Sequence, residues 1–278
     1  MLKIKDLTKY YKNNIGITSV NLDLNKGEIF GFIGPNGAGK STTIKCILNF
    51  LNKNNGKIYL DEEEILPNDS LFKENIGYLP SEINLYEDLT VKQMIDYSKS
   101  FYNKDLDKRV SELVSIFEVD LNKKIDELSF GNLKKVGIIL ALMHEPRLLI
   151  LDEPTSGLDP LMQEKFFEVL LEEKKKGTTI FFSSHYIEEA EVATNLCILK
   201  SGKIIFNGTY QDLISNYSKK QLKVNLRDIT IKKEISSVKK ALFYLEKLDY
   251  TKIDTFSLSN SNLEEIFLKL VYNENIGL

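Results

Sequence analysis

The sequence predicts an α/β fold in which helices cover a central, mainly parallel sheet. Its clearest support is a set of continuous apolar runs, which are typical of parallel strands buried on both faces. Helical patterns follow these runs, as they do when helices connect parallel strands. The predicted strands include 28–33, 147–151 and 178–182, and the predicted helices include 40–48 and 161–176.

A glycine-rich loop separates the first predicted strand from a helix with one apolar face. A further strand is predicted at 76–79, and residues 90–118 are predicted to be mostly helical with Thr90 as N-cap. The helix that follows 147–151 is predicted to end at Gly177, just before the third apolar run.

The pattern changes near residue 210. Glycine serves where the backbone needs unusual angles or a close approach to a ligand, and after Gly208 only Gly277 remains. We therefore predict that residues 1–210 carry the ligand chemistry and that 211–278 form a small α+β accessory domain. In this tail, 221–227 alternates like a half-buried strand. A capping box from Ser261 to Glu264 is predicted to open a helix whose apolar face carries Leu263, Ile266, Phe267, Leu270 and Val271.

The composition excludes several classes of protein. The 278 residues include 37 basic and 40 acidic side chains, which argues against a nucleic-acid partner. The longest uncharged apolar run, 136–143, is much shorter than the about 20 residues of a membrane-spanning helix. The N-terminus has no apolar signal core. Cys46 and Cys197 cannot form a disulfide framework, and both are predicted to be small buried hydrophobic residues in a cytosolic protein.

The strongest motif lies in the loop after the first predicted strand. Residues 34–41 read Gly-Pro-Asn-Gly-Ala-Gly-Lys-Ser and fit the Walker A pattern G-x-x-x-x-G-K-[ST]. Such a loop aims backbone N–H groups at phosphate oxygens, and the helix behind it adds the positive end of its dipole. Lys40 is predicted to reach the β- and γ-phosphates and the Ser41 hydroxyl to ligate Mg²⁺. The predicted phosphate-binding residues are Gly34, Pro35, Asn36, Gly37, Ala38, Gly39, Lys40, Ser41 and Thr42.

Two carboxylates and a histidine follow other predicted strands. Asp152 and Glu153 come directly after 147–151, and His185 comes shortly after 178–182. Ligands bind beyond the carboxyl ends of parallel strands, so these side chains are expected at the same sheet edge as the loop. Asp152 suits Mg²⁺ coordination, and Glu153 suits the polarisation of a water that attacks the γ-phosphate. His185 is expected to hold that phosphate and to sense its loss.

Together these motifs resemble those of the ATP-binding-cassette (ABC) ATPases. Residues 128–132, Leu-Ser-Phe-Gly-Asn, are similar to the family's signature, usually Leu-Ser-Gly-Gly-Gln. The block 144–160 is similar to the family's consensus around the acidic pair, including the D-loop at 156–159. The resemblance covers about residues 1–210. It implies a P-loop NTPase fold of the ABC ATPase type, with an antiparallel β-subdomain and an inserted helical subdomain over about 82–145.

The resemblance also implies how ATP is held. Tyr11, which follows Tyr10, matches the aromatic residue that stacks on adenine. Ser129 and Gly131 match signature residues that contact the γ-phosphate bound by the opposite subunit. Two such domains would sandwich ATP with Mg²⁺, close when ATP binds and separate after hydrolysis. Whether the second ATPase subunit forms a homodimer or a heterodimer with this chain stays open.

The sequence departs from the family pattern in two places. Phe130 and Asn132 replace a glycine and the final glutamine of the signature, whereas Ser129 and Gly131 are kept. The glutamine that usually follows the strand 76–79 is also absent. Ser81 stands at its position and Glu82 follows, and the sequence does not decide which of the two replaces it.

Other motifs resemble the ATPase subunits of ABC-2 type exporters. They are Gly-Tyr-Leu-Pro at 77–80, Leu-Tyr-Glu-Asp-Leu-Thr-Val at 85–91 and Leu-Glu-Glu-Ile-Phe-Leu-Lys-Leu at 263–270. Such subunits work with multi-span membrane permease subunits that are separate chains. The resemblance implies a cytoplasmic protein, peripheral on the inner face of the cell membrane, with a groove near 81–99 for a short helix of the permease. It does not identify the transported substance.

Two alternatives belong to other functional classes. One is a soluble regulatory ABC ATPase that acts on ribosomes or DNA, but such proteins usually carry two cassettes or a long coiled coil, and this chain shows neither pattern. The other is a non-hydrolysing immunity or sensor subunit, which the departures at Phe130, Asn132 and Ser81 suggest. The presence of Lys40 and Glu153 argues against it.

Overall fold

The computed structural model describes residues 1–12, 14–66, 74–227 and 229–272. The chain separates into two units, Met1–Asn207 and Gly208–Leu278. None of the α-helices in the described part is long and apolar enough to cross a bilayer. The strands are β1 (Leu2–Tyr11), β2 (Asn14–Leu24), β3 (Ile29–Ile33), β4 (Asn55–Leu60), β5 (Glu63–Glu64), β6 (Ile76–Leu79), β7 (Leu148–Asp152), β8 (Thr179–Ser184), β9 (Asn195–Lys200), β10 (Lys203–Gly208), β11 (Lys220–Leu226), β12 (Ile229–Ile235) and β13 (Ile253–Asn260). The α-helices are α1 (Lys40–Ile47), α2 (Val91–Lys99), α3 (Asp107–Phe117), α4 (Phe130–Leu142), α5 (Pro160–Lys175), α6 (Tyr210–Tyr217), α7 (Val238–Leu245) and α8 (Leu263–Tyr272).

The first unit contains a six-stranded sheet in the order β10-β9-β3-β8-β7-β6. β3 pairs in parallel with β8 and β9, and β7 pairs in parallel with β6 and β8. Every residue of β3, β7 and β8 is buried, as expected for parallel strands covered on both faces. The predicted α/β fold with a mainly parallel central sheet is therefore confirmed.

A second, antiparallel sheet has the strand order β2-β1-β4-β5. Leu2, Ile4 and Leu7 of β1 are buried, and they share one hydrophobic core with Phe30 and Phe32 of β3. The antiparallel sheet thus covers the phosphate-loop strand with apolar side chains. It corresponds to the antiparallel subdomain that the family resemblance implies.

Three helices, α2, α3 and α4, occupy the chain between β6 and β7, and α4 contacts both of the others. Thr90 caps α2, since its hydroxyl accepts from Gln93 N–H while the Gln93 side chain accepts from Thr90 N–H. This reciprocal pair is a capping box and confirms the predicted N-cap. The helical pattern predicted for 90–118 is divided into α2 and α3.

The second unit is built on an antiparallel sheet in the order β12-β11-β13. Leu222 and Val224 of β11 form its core with Ile235 and with Ala241 and Leu245 of α7. α8 buries most of the predicted apolar face, namely Leu263, Ile266, Phe267 and Val271.

The predicted capping box of α8 is wrong by one residue. Asn262 caps the helix, because its side chain accepts from Glu265 N–H at 2.7 Å and the Glu265 carboxylate accepts from Asn262 N–H at 3.3 Å. Ser261 instead donates to Lys219 O at 2.9 Å. Its hydroxyl binds a backbone carbonyl group that is distant in sequence, and a local pattern does not reveal such a bond.

Cys46 and Cys197 lie in α1 and β9 and are 1% and 0% exposed. Burial raises the pKa of the Cys46 thiol to about 11 and also raises the pKa of the Cys197 thiol. Both cysteines are free. The prediction that they serve as small buried hydrophobic residues is confirmed.

Candidate active site

The phosphate-loop motif forms the connection between β3 and α1. Gly37 and Gly39 have φ angles of 77° and 108°, a backbone region that favours glycine. A Cβ at Gly39 would lie 2.6 Å from Ile17 Cγ2, whereas a Cβ at Gly37 would meet no described atom within 4 Å. The loop is therefore tightly packed behind Gly39 and open in front of Gly37, which is what an anion-binding turn requires.

Lys40 is the first residue of α1, and its side chain is only 4% exposed. Its Nζ donates to Gly34 O at 2.7 Å and to Pro35 O at 3.2 Å. The same atom lies 3.3 Å from Glu153 Oε1. The ammonium group thus joins the loop to the acidic pair at the end of β7.

An open cleft of about 420 Å³ lies in front of the loop. The loop residues that face it do so through glycine backbone and short polar side chains, and Glu153 contributes a carboxylate. Gly34 and Pro35 do not line the cleft but supply the carbonyl groups that hold Lys40. The lining residues are Tyr11, Gly16, Asn36, Gly37, Gly39, Lys40, Ser41, Thr42 and Glu153.

Tyr11, and not its neighbour Tyr10, lines this cleft. Its ring is nearly half exposed, and its hydroxyl lies 3.3 Å from Thr42 Oγ1. Gly16 makes room for the ring, since a Cβ there would lie 2.7 Å from Tyr11 Cε2. Gly16 is not among the residues predicted from the sequence. It is a single glycine in β2, and no motif around it indicates a contact with Tyr11.

Asp152 ends β7 and is 1% exposed. Ser183 of the neighbouring β8 donates its hydroxyl to Asp152 Oδ1 at 2.6 Å. The other carboxylate oxygen, Oδ2, is buried and has no hydrogen-bond partner among the described residues. A buried carboxylate oxygen without a partner is costly, and a hard divalent cation is the kind of ligand that it suits.

Glu153 follows Asp152 with a φ of 49°, which is uncommon for a residue with a side chain. Its backbone N–H donates to Ser183 Oγ at 3.0 Å, so Ser183 holds both members of the acidic pair. Its carboxylate lies between two nitrogen atoms, with Oε1 near Lys40 Nζ and Oε2 3.2 Å from His185 Nδ1. Strained backbone of this kind is concentrated at functional sites.

His185 reaches the site because β8 lies between β3 and β7. Ile33 is in register with Ser184, and Asp152 with Ser183, so the three strands end at the same level. His185 Nδ1 approaches Glu153 without the geometry of a hydrogen bond. The structure therefore brings Lys40, Glu153 and His185 together at the predicted sheet edge.

The signature residues begin α4 and do not line the cleft. Ser129 is the N-cap of α4, and its hydroxyl accepts from Asn132 N–H at 3.4 Å. A Cβ on Gly131 would lie 2.5 Å from Gly157 O, and a Cβ on Gly157 would lie 2.2 Å from Phe130 Cδ1. The first turn of α4 thus packs directly on the D-loop, while about half of Phe130 stays exposed.

The two candidates for the missing glutamine differ in exposure. Ser81 is half-buried and Glu82 is exposed. The Ser81 backbone carbonyl accepts from Lys134 of α4 at 3.1 Å. Lys134 is fully buried. It is not among the residues predicted from the sequence, because its contact is made across 53 residues of chain.

The chain is similar to known proteins of one family. The profile of the family described as ABC transporter matches residues 17–156. The uncharacterized ABC transporter ATP-binding protein YhaQ of Bacillus subtilis is 36% identical over 234 residues, covering 82% of this chain and 78% of YhaQ. The probable multidrug ABC transporter ATP-binding protein YbhF of Escherichia coli is 32% identical over 218 residues, covering 77% of this chain and 38% of YbhF.

Solved structures show the same fold. The dimeric structure of MJ0796, a bacterial ABC transporter cassette, superimposes with a TM-score of 0.70 and 28% identity, covering 75% of this chain and 98% of that cassette. A dimeric post-hydrolysis state of MJ0796 bound to ADP and phosphate gives a TM-score of 0.68 at 27% identity, covering 75% and 98% of the two chains. The likeness thus extends to a cassette whose structure contains hydrolysis products.

Proposed function

This chain belongs to the ABC transporter family as an ATP-binding ATPase subunit, and from that premise we propose that it drives export through a separate membrane permease. In this proposal two cassettes close around ATP and separate after hydrolysis, and the movement is passed to the permease. The proposal places the chain in the cytoplasm, held at the inner face of the cell membrane by that partner.

The observation that carries the hydrolytic part is the arrangement of Lys40, Glu153 and His185. The Glu153 carboxylate lies 3.3 Å from Lys40 Nζ and 3.2 Å from His185 Nδ1, beside a cleft lined by the phosphate loop. Lys40 is assigned to the β- and γ-phosphates. Glu153 accepts a proton from the attacking water, and His185 holds the γ-phosphate during the in-line displacement. Tyr11 stacks on adenine at the rim of the cleft.

Asp152 and Ser41 fit a magnesium site. Asp152 Oδ2, which has no hydrogen-bond partner in the described part of the chain, and the Ser41 hydroxyl are oxygen ligands of the type that Mg²⁺ prefers. Mg²⁺ bound there would neutralise charge on the phosphates. Ser183 orients Asp152 for this role by donating to Oδ1.

The dimeric part of the proposal rests on the signature. Ser129 and Gly131 lie at the start of α4, where backbone N–H groups suit an anion, yet they do not line the cleft of their own chain. They are assigned to the γ-phosphate bound by the second cassette. The dimeric structure of MJ0796 supports this arrangement by likeness.

The exporter part rests on the motifs at 77–80, 85–91 and 263–270, and on the likeness to YbhF, a probable multidrug transporter protein. The groove proposed for the permease lies along residues 81–99. It includes the exposed rings of Tyr86 and Tyr97, whose centroids lie 5.5 Å apart. The transported substance is not part of the proposal, because its contacts belong to the permease.

The substitution Glu153→Gln tests the hydrolytic assignment. The variant is expected to bind ATP normally, to lose at least about 100-fold in turnover, and to accumulate as an ATP-bound dimer. Glu188→Gln, at an exposed carboxylate three residues after His185 in the chain, is the control and should hydrolyse ATP normally. Near-normal hydrolysis by Glu153→Gln would remove Glu153 from this role.

Affinity purification from solubilised membranes tests the partner. Recovery of a multi-span membrane protein with the chain supports the exporter proposal. Recovery of ribosomes instead would favour a soluble regulatory ATPase, and a wild-type protein that binds but never hydrolyses ATP would favour a sensor subunit.

A further inference from the structure

Lys134 is a buried lysine that the proposed reaction does not use. It lies in α4, two residues after the signature, and has no exposed surface. Its Nζ donates to Ser81 O at 3.1 Å and to Pro80 O at 3.4 Å. The ammonium group therefore binds two backbone carbonyl groups of the segment that follows β6.

Burying an ammonium group is costly, so its surroundings must offset the loss of water. Burial lowers the pKa of Lys134, while the charges of Asp152 and Glu153 raise it. The Phe130 ring adds a cation–π contact, with its centroid 5.9 Å from Nζ. The charge is thus supported by the segment after β6, by the signature and by the acidic pair. An apolar residue would fill the same space without this cost, which indicates a role beyond packing.

The packing around Lys134 shows that α4 and the chain through β6 are in close contact along their length. A Cβ on Gly77 would lie 2.1 Å from Ala141 O, and a Cβ on Gly137 would lie 2.6 Å from Ile83 Cδ1. Lys134 makes the polar contact at the signature end of this interface. Small residues bring the two elements together, and Lys134 fixes the backbone that has just left β6.

We propose that Lys134 is a positioning residue that fastens the Pro80–Ser81 backbone to the signature helix α4, so that a displacement of one is transmitted to the other. In the family pattern a glutamine follows β6, and here Ser81 stands at its position and Glu82 follows. The backbone of this segment, rather than a long side chain, is the part that Lys134 holds. The catalytic consequence rests on the proposed function, in which this segment faces the permease and α4 faces the second cassette.

Lys134→Met removes the charge and the donors while keeping a long unbranched side chain. Hydrogen exchange of the backbone at 79–84 is expected to accelerate about tenfold or more, while exchange of the phosphate loop is unchanged. For ATP hydrolysis, kcat is expected to fall about tenfold with KM altered less than about twofold, because Lys134 does not line the cleft. Lys135→Met, on the next residue of the same helix, is the matched control and should match wild type in both measurements.

Lys134→Gln is a second variant, for the case that Lys134→Met does not fold. It keeps a hydrogen-bond donor but carries no charge. It should restore most of the protection at 79–84 and part of kcat. Unchanged exchange at 79–84 in a folded Lys134→Met variant overturns the proposal, and so does a rise in KM at constant kcat. The exchange measurement needs no hydrolysis, so an inactive wild-type protein would contradict the proposed function while leaving the Lys134 contact testable.

Discussion

Glu153 shares its carboxylate between Lys40 and His185, one oxygen facing each nitrogen. Its backbone is held by Ser183, which also holds Asp152. Neighbouring groups that act on one another in this way are not independent, so substitutions among them should not have additive effects. At the scale of residues, the site is a connected charge arrangement rather than a set of separate contacts.

Lys40→Met should weaken ATP binding by at least about 100-fold, since it removes a charged hydrogen bond to phosphate from a buried position. Fluorescent-nucleotide titration measures the change. Lys45→Met, at an exposed position on the same helix, should bind as wild type does. Unchanged affinity in Lys40→Met would mean that the phosphates are held elsewhere.

Glu189 gives the stability of the protein a pH dependence. Burial raises the pKa of Glu189 above its ordinary value of 4.5, although hydrogen bonds from Thr155 and Ser184 act in the opposite direction. A raised folded-state pKa means that the contribution is full at low pH and is lost as pH rises through that pKa. A glutamine stays neutral at every pH, so Glu189→Gln should remove part of the loss of unfolding free energy that occurs as pH rises above about 4.5. Each tenfold difference in proton affinity between the folded and unfolded protein corresponds to about 1.4 kcal/mol.

Denaturant unfolding at several pH values measures this effect. Glu188→Gln is the control, because Glu188 is exposed beside Glu189. Parallel pH profiles for wild type and Glu189→Gln would show that the pKa of Glu189 is not raised in the folded protein.

The site residues that could be predicted from the sequence belong to local motifs, whereas those that could not be predicted have partners distant in sequence. Lys40 and Glu153 belong to motifs whose neighbours determine their environment. Gly16 and Lys134 act across the fold, by making room for Tyr11 and by binding the backbone at Ser81. Nothing in their local pattern indicates those partners, so their roles could not be predicted from the sequence.

At the scale of elements, β6 and α4 approach so closely that only glycine fits between them. A Cβ on Gly77 would lie 2.1 Å from Ala141 O and 2.8 Å from Leu149 Cδ1. Because the nearest atom is backbone, a small rotation of a side chain cannot relieve the contact. The first of these atoms belongs to the helix that carries the signature.

Gly77→Ala should therefore lower the free energy of unfolding by about 1–3 kcal/mol or more, as overpacking does. Urea denaturation measures the change. Gly31→Ala in β3 is the matched control, since its Cβ would meet ordinary contacts at 3.4 Å, and its effect should be smaller. Equal losses in both variants would show that the close approach of β6 and α4 adds no cost beyond that of the ordinary contacts at Gly31.

Element boundaries were predictable where a local bond defines them. Thr90 begins α2 as expected because its cap partner lies three residues away. The start of α8 was misplaced because Ser261 bonds to Lys219, 42 residues earlier. A serine three residues before a glutamate is a cap only if nothing else competes for its hydroxyl.

At the scale of the whole molecule, the proposed working unit is a pair of cassettes. In a Glu153→Gln background, Ser129→Arg is expected to abolish ATP-dependent dimerisation while ATP binding to the monomer stays within about twofold, because a long charged side chain would occupy the signature end of α4. Light scattering with and without ATP measures this. Ser111→Arg, at an exposed position of α3, should dimerise normally. Dimerisation of the Ser129→Arg variant would show that the signature does not face the second cassette.

The parallel sheet itself could be predicted, because continuous apolar runs are buried on both faces wherever they occur. The order of its strands could not be derived from those runs. Adjacent positions in the sheet join residues far apart in the chain, such as Ile33 and Ser184. From the sequence, Lys40 and His185 could be placed near each other only because ligands bind beyond the carboxyl ends of parallel strands.

The strand order has a consequence for synthesis of the chain. Among the described strands, β3 has β8 and β9 as its neighbours in the sheet, and both are translated long after it. Translation of residues 34–178 takes roughly 7–30 s at about 5–20 residues per second. During that time the phosphate-loop strand lacks both of these neighbours. The ends of β3, β7 and β8, which lead to Lys40, Glu153 and His185, therefore meet only after β8 has been translated.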